Sequence, residues 1–444
     1  MIDTPPLSCP SAASPDFGLN PPRSERHRGV AGSRPVAATG ALATLLLLAG
    51  CAGGHAASAD PDESAPATAA PLEAATSTPR LVATYDGGIM VLDASTGETV
   101  LDEPLAGFNR ITAAGDGRHV LVGTSGGFRA LDAGAWSVPH GDHDHHYAAP
   151  AGLTDVLFPA TEPGHVFHHG DRTVLFDDGS GRATILDPAE LGDGMPHTTQ
   201  AQAPTAHHGL AIELDDGKLL MTEGTPDSRS GITVSGPADS SGTRPDLARS
   251  ADCPGVHGAA AAADDAFAFG CEDGMLIYRH GKISKATAPT AYGRVGNQAG
   301  SDASAVVLGD YKSDADAELE RPTRVSLTNT ATGTMDLVET GASYSFRSLG
   351  RGPDGEALVL GTDGRLRIID PQSGKITESI RVTRPWKEPT EWQQPRPTLS
   401  VQGGIAYVSE PATSTVHLVD LESAKLMVSH ELPHAPNELA GIPG

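Results

Sequence analysis

The sequence predicts an all-β protein, a closed β-propeller of four-stranded antiparallel blades. From Leu81 onward, short apolar runs alternate with Asp-Gly, Gly-Gly and Ser-Gly turns, as in Leu81–Asp93 and His119–Asp132. Each unit is an apolar strand, a tight turn and a second apolar strand that is often closed by aspartate, which is typical of a β-hairpin. The units recur at roughly 40 to 55 residues, the spacing of propeller blades. No long window has the 3.6-residue periodicity of an amphipathic helix.

The number of innermost strands predicts the number of blades. Aligning the hairpins puts the starts of these strands near positions 109, 165, 208, 257, 297, 346, 398 and 437. Eight blades are therefore predicted, with seven as the alternative. The last start has no hairpin after it, and the hairpin at Leu81 has no inner strand before it. We expect Asn437–Ala440 to pair beside Leu81–Tyr85 and close the ring, which removes exposed sheet edges.

The N-terminal part of the chain predicts an exported protein. Residues 1–50 contain several arginines, an apolar run at 41–48 and the ending Leu48-Ala49-Gly50-Cys51. This order is typical of a secretory signal, and its ending resembles the bacterial lipoprotein signal, in which the cysteine is acylated. We therefore expect Cys51 to carry a lipid that anchors the protein to the outer face of the cell membrane.

The remaining domain boundaries follow from composition. Residues 51–79 are mostly Ala, Ser, Thr, Pro and acidic residues, which bury too little apolar surface to fold, so a disordered tether is predicted. Residues 80–444 are predicted to form one propeller domain. The net charge of −25 disfavours nucleic acid as a partner and favours cations.

Histidine is concentrated in a way that indicates a metal site. Four histidines and two aspartates fall within residues 140–146, a ligand set that suits zinc. The hairpin alignment also puts His165, His208 and His257 at the start of the inner strand in three consecutive blades. Such positions ring one mouth of a propeller channel, so the three imidazoles are expected to converge on zinc. The alternatives are a solvated histidine-rich tract for the loop and structural imidazoles that donate to backbone carbonyls.

Several residues are candidates to complete the zinc site. The loop is expected to lie over the same channel mouth and to act as a mobile gate. His169 is expected either one turn away or in competition with His165. The candidate fourth ligands are His143, His145 and His146 of the loop or a carboxylate, and His140 of the same loop is also a candidate metal ligand. Glu438 and His434 of the closing strand are further candidates.

The cysteines divide between the leader and the propeller. Cys9 and Cys51 belong to the leader, which leaves Cys253 and Cys271 as an even pair in an exported protein. A disulfide is expected, because the compartment allows it. A two-thiol metal site is the alternative.

Taken together, the motifs resemble the AztD-type zinc metallochaperones, exported β-propellers associated with bacterial zinc ABC importers. The resemblance covers the chain from about Leu81 to the end, and it does not include the leader or the tether. It rests on the segments 140–147, Glu162–His169, His207–Ala211, Cys253–Gly258 with Cys271, and Pro433–Glu438. It implies that zinc binds at the channel mouth and passes to the solute-binding protein of the importer. A lipid anchor departs from the soluble periplasmic members of the family.

The sequence thus predicts a monomeric, non-enzymatic zinc carrier. Two other classes of function remain open. The first is a metal-dependent hydrolase or lactonase-like enzyme, because propellers host such activities and zinc with three protein ligands is catalytic in form. The second is an adhesion or scaffold propeller in which the histidines bind no metal.

Overall fold

The structure, a computed structural model, describes residues 71–444, which form almost only β-strands. Two short 3-10 helices, Pro188–Asp193 and Pro411–Thr413, interrupt them. No helix in this described range is long and apolar enough to cross a membrane. The predicted leader 1–50 and Cys51 lie outside the described residues.

The strands follow one another with short connections. The first ten are β1 (Leu72–Ala74), β2 (Arg80–Tyr85), β3 (Gly88–Asp93), β4 (Thr99–Pro104), β5 (Ile111–Ala113), β6 (His119–Thr124), β7 (Gly127–Asp132), β8 (Ala135–His140), β9 (His143–Ala148) and β10 (Gly152–Pro159). The next thirteen are β11 (Pro163–His169), β12 (Arg172–Asp177), β13 (Arg182–Leu186), β14 (Thr198–Gln202), β15 (Ala211–Glu213), β16 (Leu219–Thr225), β17 (Ser228–Ser235), β18 (Asp246–Ser250), β19 (His257–Ala262), β20 (Ala266–Cys271), β21 (Asp273–Arg279), β22 (Lys282–Thr287) and β23 (Gly293–Arg294). The last thirteen are β24 (Gln298–Ala299), β25 (Val306–Asp310), β26 (Arg324–Asn329), β27 (Thr334–Glu339), β28 (Tyr344–Arg351), β29 (Ala357–Gly361), β30 (Arg365–Ile369), β31 (Ile376–Arg381), β32 (Leu399–Gln402), β33 (Ile405–Glu410), β34 (Thr415–Asp420), β35 (Lys425–Glu431) and β36 (Leu439–Ile442).

Eight sheets of this part of the chain are propeller blades, numbered here from the N-terminus. Each has at least four antiparallel strands, and β23 adds a fifth, parallel strand to blade 5. Blade 1 is β36-β2-β3-β4, blade 2 is β5-β6-β7-β10, blade 3 is β11–β14, blade 4 is β15–β18, blade 5 is β19–β23, blade 6 is β24–β27, blade 7 is β28–β31 and blade 8 is β32–β35. The predicted propeller and its eight blades are confirmed.

The C-terminal strand completes the first blade. Strand β36 pairs antiparallel with β2, with Leu81 opposite Gly441 and Val82 opposite Ala440. Just before that ladder, Asn437 N donates to Thr84 O at 2.7 Å. Blade 1 is therefore built from both ends of the domain, as the missing inner strand at Leu81 predicts.

The core lies between neighbouring blades. Apolar side chains of β2 and β3, such as Val82 and Val91, pack against Val120 and Val122 of β6 in the next blade. β-Branched residues favour extended strands and fill the space between pleated sheets. The inner strands are thus held on both sides, and this fixes the backbone at the positions that carry the histidines.

Each blade has two ends, called here the start face, where the innermost strands begin, and the end face, where they finish. Strand β7 runs parallel to β5, because both pair antiparallel with β6, and so β7 finishes on the end face. Thr173 Oγ1 donates to Ala114 O at 2.5 Å and joins the end faces of blades 2 and 3. The chain then leaves β7 to form the hairpin β8–β9 before it returns as β10.

One strand lies within the segment that was predicted to be a tether. Strand β1, which falls inside the expected tether 51–79, pairs antiparallel with β9 of the hairpin. The composition of residues 51–79 gave no sign of this strand, because its partner is an inserted hairpin rather than the propeller core.

Candidate metal sites

Three histidines on consecutive blades meet at the start face. His165 lies in β11, His208 comes just before β15, and His257 begins β19. Their ring centroids are 4.8 to 5.4 Å apart, and one nitrogen from each lies within 4.8 Å of the others. The structure therefore brings together the three residues that the hairpin alignment selects. We refer to His165, His208 and His257 as the triad.

β-Bulges direct two of these side chains. The pairing of β11 with β12 shifts register between Pro163 and Val166, around His165. The pairing of β19 with β20 shifts between His257 and Ala259. At the second bulge Gly258 has φ 67°, and a Cβ there would come within 2.3 Å of the Gln298 side chain. Bulges re-aim side chains at the ends of strands, and here they occur at both inner-strand histidines of the triad.

The outer nitrogens of the triad are all engaged. His165 Nδ1 donates to Gly209 O at 3.0 Å, and His257 Nδ1 donates to Gly296 O at 2.6 Å. His208 Nδ1 lies 2.5 Å from Asp178 Oδ2. An acceptor at Nδ1 fixes the tautomer and leaves the Nε2 lone pair free, as in metal-binding histidines.

The free nitrogens face one another. His208 Nε2 and His257 Nε2 are 3.1 Å apart. With protons on both Nδ1 atoms, two lone pairs point together, an arrangement that a shared cation stabilises. Tetrahedral zinc with Zn–N bonds of about 2.05 Å would separate its nitrogens by about 3.3 Å. The observed separation thus suits two imidazoles on one zinc ion.

Burial keeps two of these imidazoles neutral. Together with the smaller effects of the charges of His208 and Arg110, it lowers the pKa of His165 to about 3. Burial also takes the pKa of His257 well below its ordinary value, with smaller contributions from His165 and His208. Neutral imidazole is the form that binds zinc, so neither of these rings must lose a proton near pH 7.

The hairpin β8–β9 carries a second histidine group. His140, His143 and His145 have ring centroids 5.0 to 5.2 Å apart, and their nitrogens also lie within 4.8 Å of one another. His145 Nε2 is 3.2 Å from His140 Nδ1, and His145 Nδ1 is 2.7 Å from Glu73 Oε1 in β1. This hairpin group, His140, His143 and His145, is mostly exposed.

The base of the hairpin is anchored to the propeller. The Arg118 guanidinium lies 3.7 Å above the Trp136 ring, and Trp136 stacks on Tyr147 across the two strands. His146 points away from its neighbour His145, because side chains alternate along a strand. It lies 2.7 Å from Ser137 Oγ, which donates to Gly444 O at 2.6 Å. His146 therefore supports the hairpin and does not join the hairpin group.

The predicted position of the loop is wrong. The loop was expected over the same mouth as the triad, but it lies on the end face, and the triad lies on the start face. The alignment failed here because the hairpin is inserted after the third strand of blade 2, whereas it was assumed to precede blade 3 as a connection on the start face. His140, His143, His145 and His146 therefore do not complete the triad.

Two further candidates are not among the residues that converge at the triad. His169 is at the end of β11, 4.8 Å from the Phe267 ring, with Nε2 3.9 Å from Asp265 Oδ1. Glu438 is buried and pairs with Arg347. The Glu438 carboxylate is therefore already paired with a buried arginine. His169 lies at the other end of β11 from His165.

Two carboxylates beside the histidines were not predicted. Asp178 lies in the turn after β12, on the start face, and its side chain is 14% exposed. Its signal was the Asp-Asp-Gly turn, which lies on the same face as the inner-strand starts. Glu73 gave no comparable signal, because it falls among the acidic residues of the expected tether.

The predicted disulfide between Cys253 and Cys271 is present. It joins the segment before His257 to the end of β20. Both sulfurs are buried among apolar residues of blades 4 and 5. The alternative of a two-thiol metal site is therefore wrong.

Comparison with known proteins agrees with the geometry. No family model matches the chain. The zinc chaperone AztD of Citrobacter koseri is 25% identical over 379 residues, which cover 82% of this chain and 86% of that protein. The predicted resemblance to AztD is confirmed.

Solved structures show the same fold. A crystal structure of Citrobacter koseri AztD superimposes with a TM-score of 0.71 and 23% identity, over 83% of this chain and 99% of that one. Apo AztD gives 0.69 and 22%, over 83% and 98%. The dihydro-heme d1 dehydrogenase NirN has a TM-score of 0.52 at 12% identity, over 83% of this chain and 75% of that one. An enzyme thus has a related fold, so the fold alone does not decide the function.

Proposed function

We propose that this protein is an extracytoplasmic zinc chaperone that binds zinc at the triad and passes it to the solute-binding protein of a zinc ABC importer. The observation that carries the proposal is the convergence of three imidazoles with engaged Nδ1 atoms. The similarity to a protein named zinc chaperone AztD supports the same conclusion. Zinc is the cargo in this proposal, and no chemical step is assigned to the protein.

Three protein ligands suit transfer. Structural zinc sites are usually closed by four protein ligands, whereas three leave one position open. A ligand from an acceptor protein can enter this position before any histidine leaves. Zinc would then move by stepwise ligand exchange and would not be released into solution.

The hairpin group is proposed as a separate zinc site. Its three imidazoles have the spacing that one ion needs, and Glu73 orients His145 as Asp178 orients His208. Its place on the end face replaces the predicted role as a gate over the triad. We assign it the capture of zinc from solution, since His143 and Glu73 are 57% and 62% exposed in their side chains.

The cellular setting completes the proposal. Export and acylation at Cys51 would hold a monomeric domain at the outer face of the membrane, near an importer. The net charge of −25 raises the local concentration of cations and disfavours nucleic acid.

A metal-dependent hydrolase is the second candidate, because zinc with an open fourth position can activate water. The specific observation in its favour is that three imidazoles, and not four ligands, converge at the triad. Turnover of lactone and ester substrates by the zinc-loaded protein, abolished by His208→Ala, would favour the enzyme over the chaperone.

The main test is zinc transfer. The loaded protein is mixed with the importer's solute-binding protein in the presence of an excess of a chelator that cannot enter a protein complex. We expect the acceptor to gain zinc faster than the chelator does. Equal loss of zinc to the chelator, with or without the acceptor, would contradict direct transfer. If the purified protein binds no zinc, the favoured function is that of an adhesion or scaffold propeller.

A further inference from the structure

The imidazole of His257 is connected to a buried carboxylate through a single peptide group. His257 Nδ1 donates to Gly296 O at 2.6 Å. The N–H of the same peptide group belongs to Asn297, and it donates to Asp310 Oδ1 at 3.0 Å. Asp310 is 1% exposed. The contacts run in order from the carboxylate through the amide to the imidazole, and we refer to them as the His257 relay.

Asp310 is held firmly in this position. It ends β25, the second strand of blade 6, whereas Gly296 and Asn297 come just before β24, the inner strand of that blade. Asp310 Oδ1 also accepts from Gly296 N at 2.6 Å, and Asp310 Oδ2 accepts from Asn297 Nδ2 at 3.0 Å. The backbone N of Asp310 donates to Asn297 O at 2.9 Å. These bonds fix the carboxylate and the peptide group against each other, with Lys312 Nζ 3.9 Å from Asp310 Oδ2.

His165 has the same arrangement with a different last group. His165 Nδ1 donates to Gly209 O at 3.0 Å, and the N–H of the same peptide group, from Leu210, donates to Thr222 Oγ1 at 2.9 Å. Thr222 lies on β16, the second strand of blade 4. In both cases the histidine of one blade uses the peptide group before the inner strand of the next blade. The chemical difference is the last group, a neutral hydroxyl for His165 and a carboxylate for His257.

The three histidines of the triad therefore differ in their access to negative charge. His208 contacts Asp178 directly. His257 reaches Asp310 through one peptide group, and His165 reaches only a hydroxyl. A carboxylate that accepts from an amide N–H polarises the amide, so that its carbonyl becomes a better acceptor, and consecutive hydrogen bonds strengthen one another where the dielectric constant is low. A stronger acceptor at Nδ1 makes the imidazole a more basic metal ligand.

We propose that Asp310 is a positioning residue of the zinc site, which fixes His257 and strengthens it as a zinc ligand through the peptide group of Gly296 and Asn297. This inference rests on the proposed function. No proton moves along the relay, because the carboxylate acts by its charge and by holding the carbonyl. Asp310 thereby raises the zinc affinity of the triad without adding a fourth protein ligand. The site gains affinity and keeps the three-ligand form that suits transfer.

The test uses the full chain with the hairpin group replaced by alanine, and this chain is called the parent. Asp310→Asn keeps the size of the side chain and removes its charge. The matched control is Asp177→Asn, because Asp177 ends β12, the second strand of blade 3, and its Oδ1 accepts from Thr161 N at 3.0 Å and Glu162 N at 2.8 Å. It has the same place in its blade and the same pair of backbone contacts, but the Nδ1 atoms of the triad donate elsewhere.

Two quantities are measured for each variant. Competition with a chelator of known affinity gives the zinc affinity. NMR of the zinc-free protein, labelled with the heavy nitrogen isotope at histidine, gives the chemical shift of the Nδ1–H proton of His257. This proton moves downfield as its hydrogen bond becomes stronger. The signal that is missing in His257→Gln assigns it.

In Asp310→Asn the His257 proton should move upfield. Zinc affinity should fall by about 3- to 10-fold, which is less than the loss of about 10- to 100-fold for a partner that touches the imidazole itself. Asp177→Asn should leave the His257 proton in place. Lys312→Gln removes the positive charge beside Asp310, so the proton should move downfield and zinc should bind up to about 2-fold more tightly. Damage to the fold cannot produce this gain.

Each of the other results counts against a stated part of the argument. If the parent binds no zinc, the proposed function fails and this inference fails with it. If the parent binds zinc but Asp310→Asn loses no more affinity than Asp177→Asn, Asp310 does not strengthen the site, and the proposed function stands. If affinity falls while the His257 proton does not move, the loss arises outside the relay and the positioning role is refuted. Should Asp310→Asn fail to fold, Lys312→Gln decides, and an unmoved His257 proton refutes the relay.

Discussion

The triad and the hairpin group each consist of three histidines, but the surroundings of the two groups differ. The triad takes one histidine from each of three blades and holds His165 and His257 against packed strands. The hairpin group takes all its ligands from six residues of one inserted turn, and His140 and His143 are exposed. Similar nitrogen spacings thus arise once from long-range packing and once from local sequence.

This difference shows how the surroundings of a site influence both its affinity for zinc and its rate of zinc exchange. Fixed ligands are already ordered before zinc arrives, whereas exposed side chains lose conformational entropy on binding. Solvent also reaches the hairpin group freely. We therefore expect tighter binding and slower exchange at the triad than at the hairpin group. The following experiments test this comparison.

Loss of one triad ligand should have the largest effect. In a background without the hairpin histidines, His165→Ala removes a metal bond from a preordered site, and zinc affinity should fall by at least about 100-fold, since losing only an orienting partner costs about 10- to 100-fold. Competition with a chelator of known affinity measures it. The control is His143→Ala with the triad intact, which should retain one tightly bound zinc. The opposite pattern would make the hairpin group the high-affinity site.

Substitution of Asp178, the carboxylate that orients His208, should have the second-largest effect on zinc affinity. Asp178→Asn keeps the shape but removes the charge that fixes His208, and affinity should fall about 10- to 100-fold. The control is Asp142→Asn, which changes an exposed carboxylate 3.2 Å from His143 Nδ1. Equal losses at the two positions would mean that burial does not strengthen the orienting contact.

Glu73 should have a smaller effect, confined to the hairpin group. Glu73→Gln weakens the contact with His145, and zinc affinity in a triad-free background should fall by up to about 10-fold, because both groups are partly solvated. Asp144→Asn, on the same hairpin, is a matched control. A loss of triad affinity in Glu73→Gln would show that the two sites are coupled.

The pH dependence of stability should distinguish the triad. In the unfolded chain His165 and His257 regain protons near pH 6.5, while in the folded apo protein both pKa values are lowered, that of His165 to about 3. The unfolded state binds more protons between these values, so the free energy of unfolding should decrease as pH falls from about 6.5 towards 3. Denaturant titrations at several pH values should show a shallower decrease in His257→Gln. An unchanged slope would mean that His257 is not held neutral.

Removal of the disulfide should change zinc binding least. Replacing both Cys253 and Cys271 by alanine removes a cross-link between residues 18 apart. This should destabilise the domain by roughly 3 kcal/mol in the chain-entropy model. Zinc stoichiometry should stay the same, because neither sulfur is a ligand. Calorimetry measures both quantities, and a lost zinc would show that the cross-link positions His257.

The repeated hairpins of the blades could be predicted from the sequence, whereas the position of the inserted hairpin could not. Alternating apolar runs specify hairpins, and equal spacing places His165, His208 and His257 at equivalent positions. The hairpin β8–β9 has no counterpart in other blades, so the alignment could not assign it to a face. The contact of Asp178 with His208 arises from packing between two blades, and the local sequence around either residue does not encode it.

Strand β1 also determines where the described part of the chain begins. Because β1 pairs with β9, this part begins on the end face, beside the hairpin group. The triad lies on the start face, at the opposite end of the blades. It is therefore turned towards proteins that approach from the side away from the N-terminal end of the described chain.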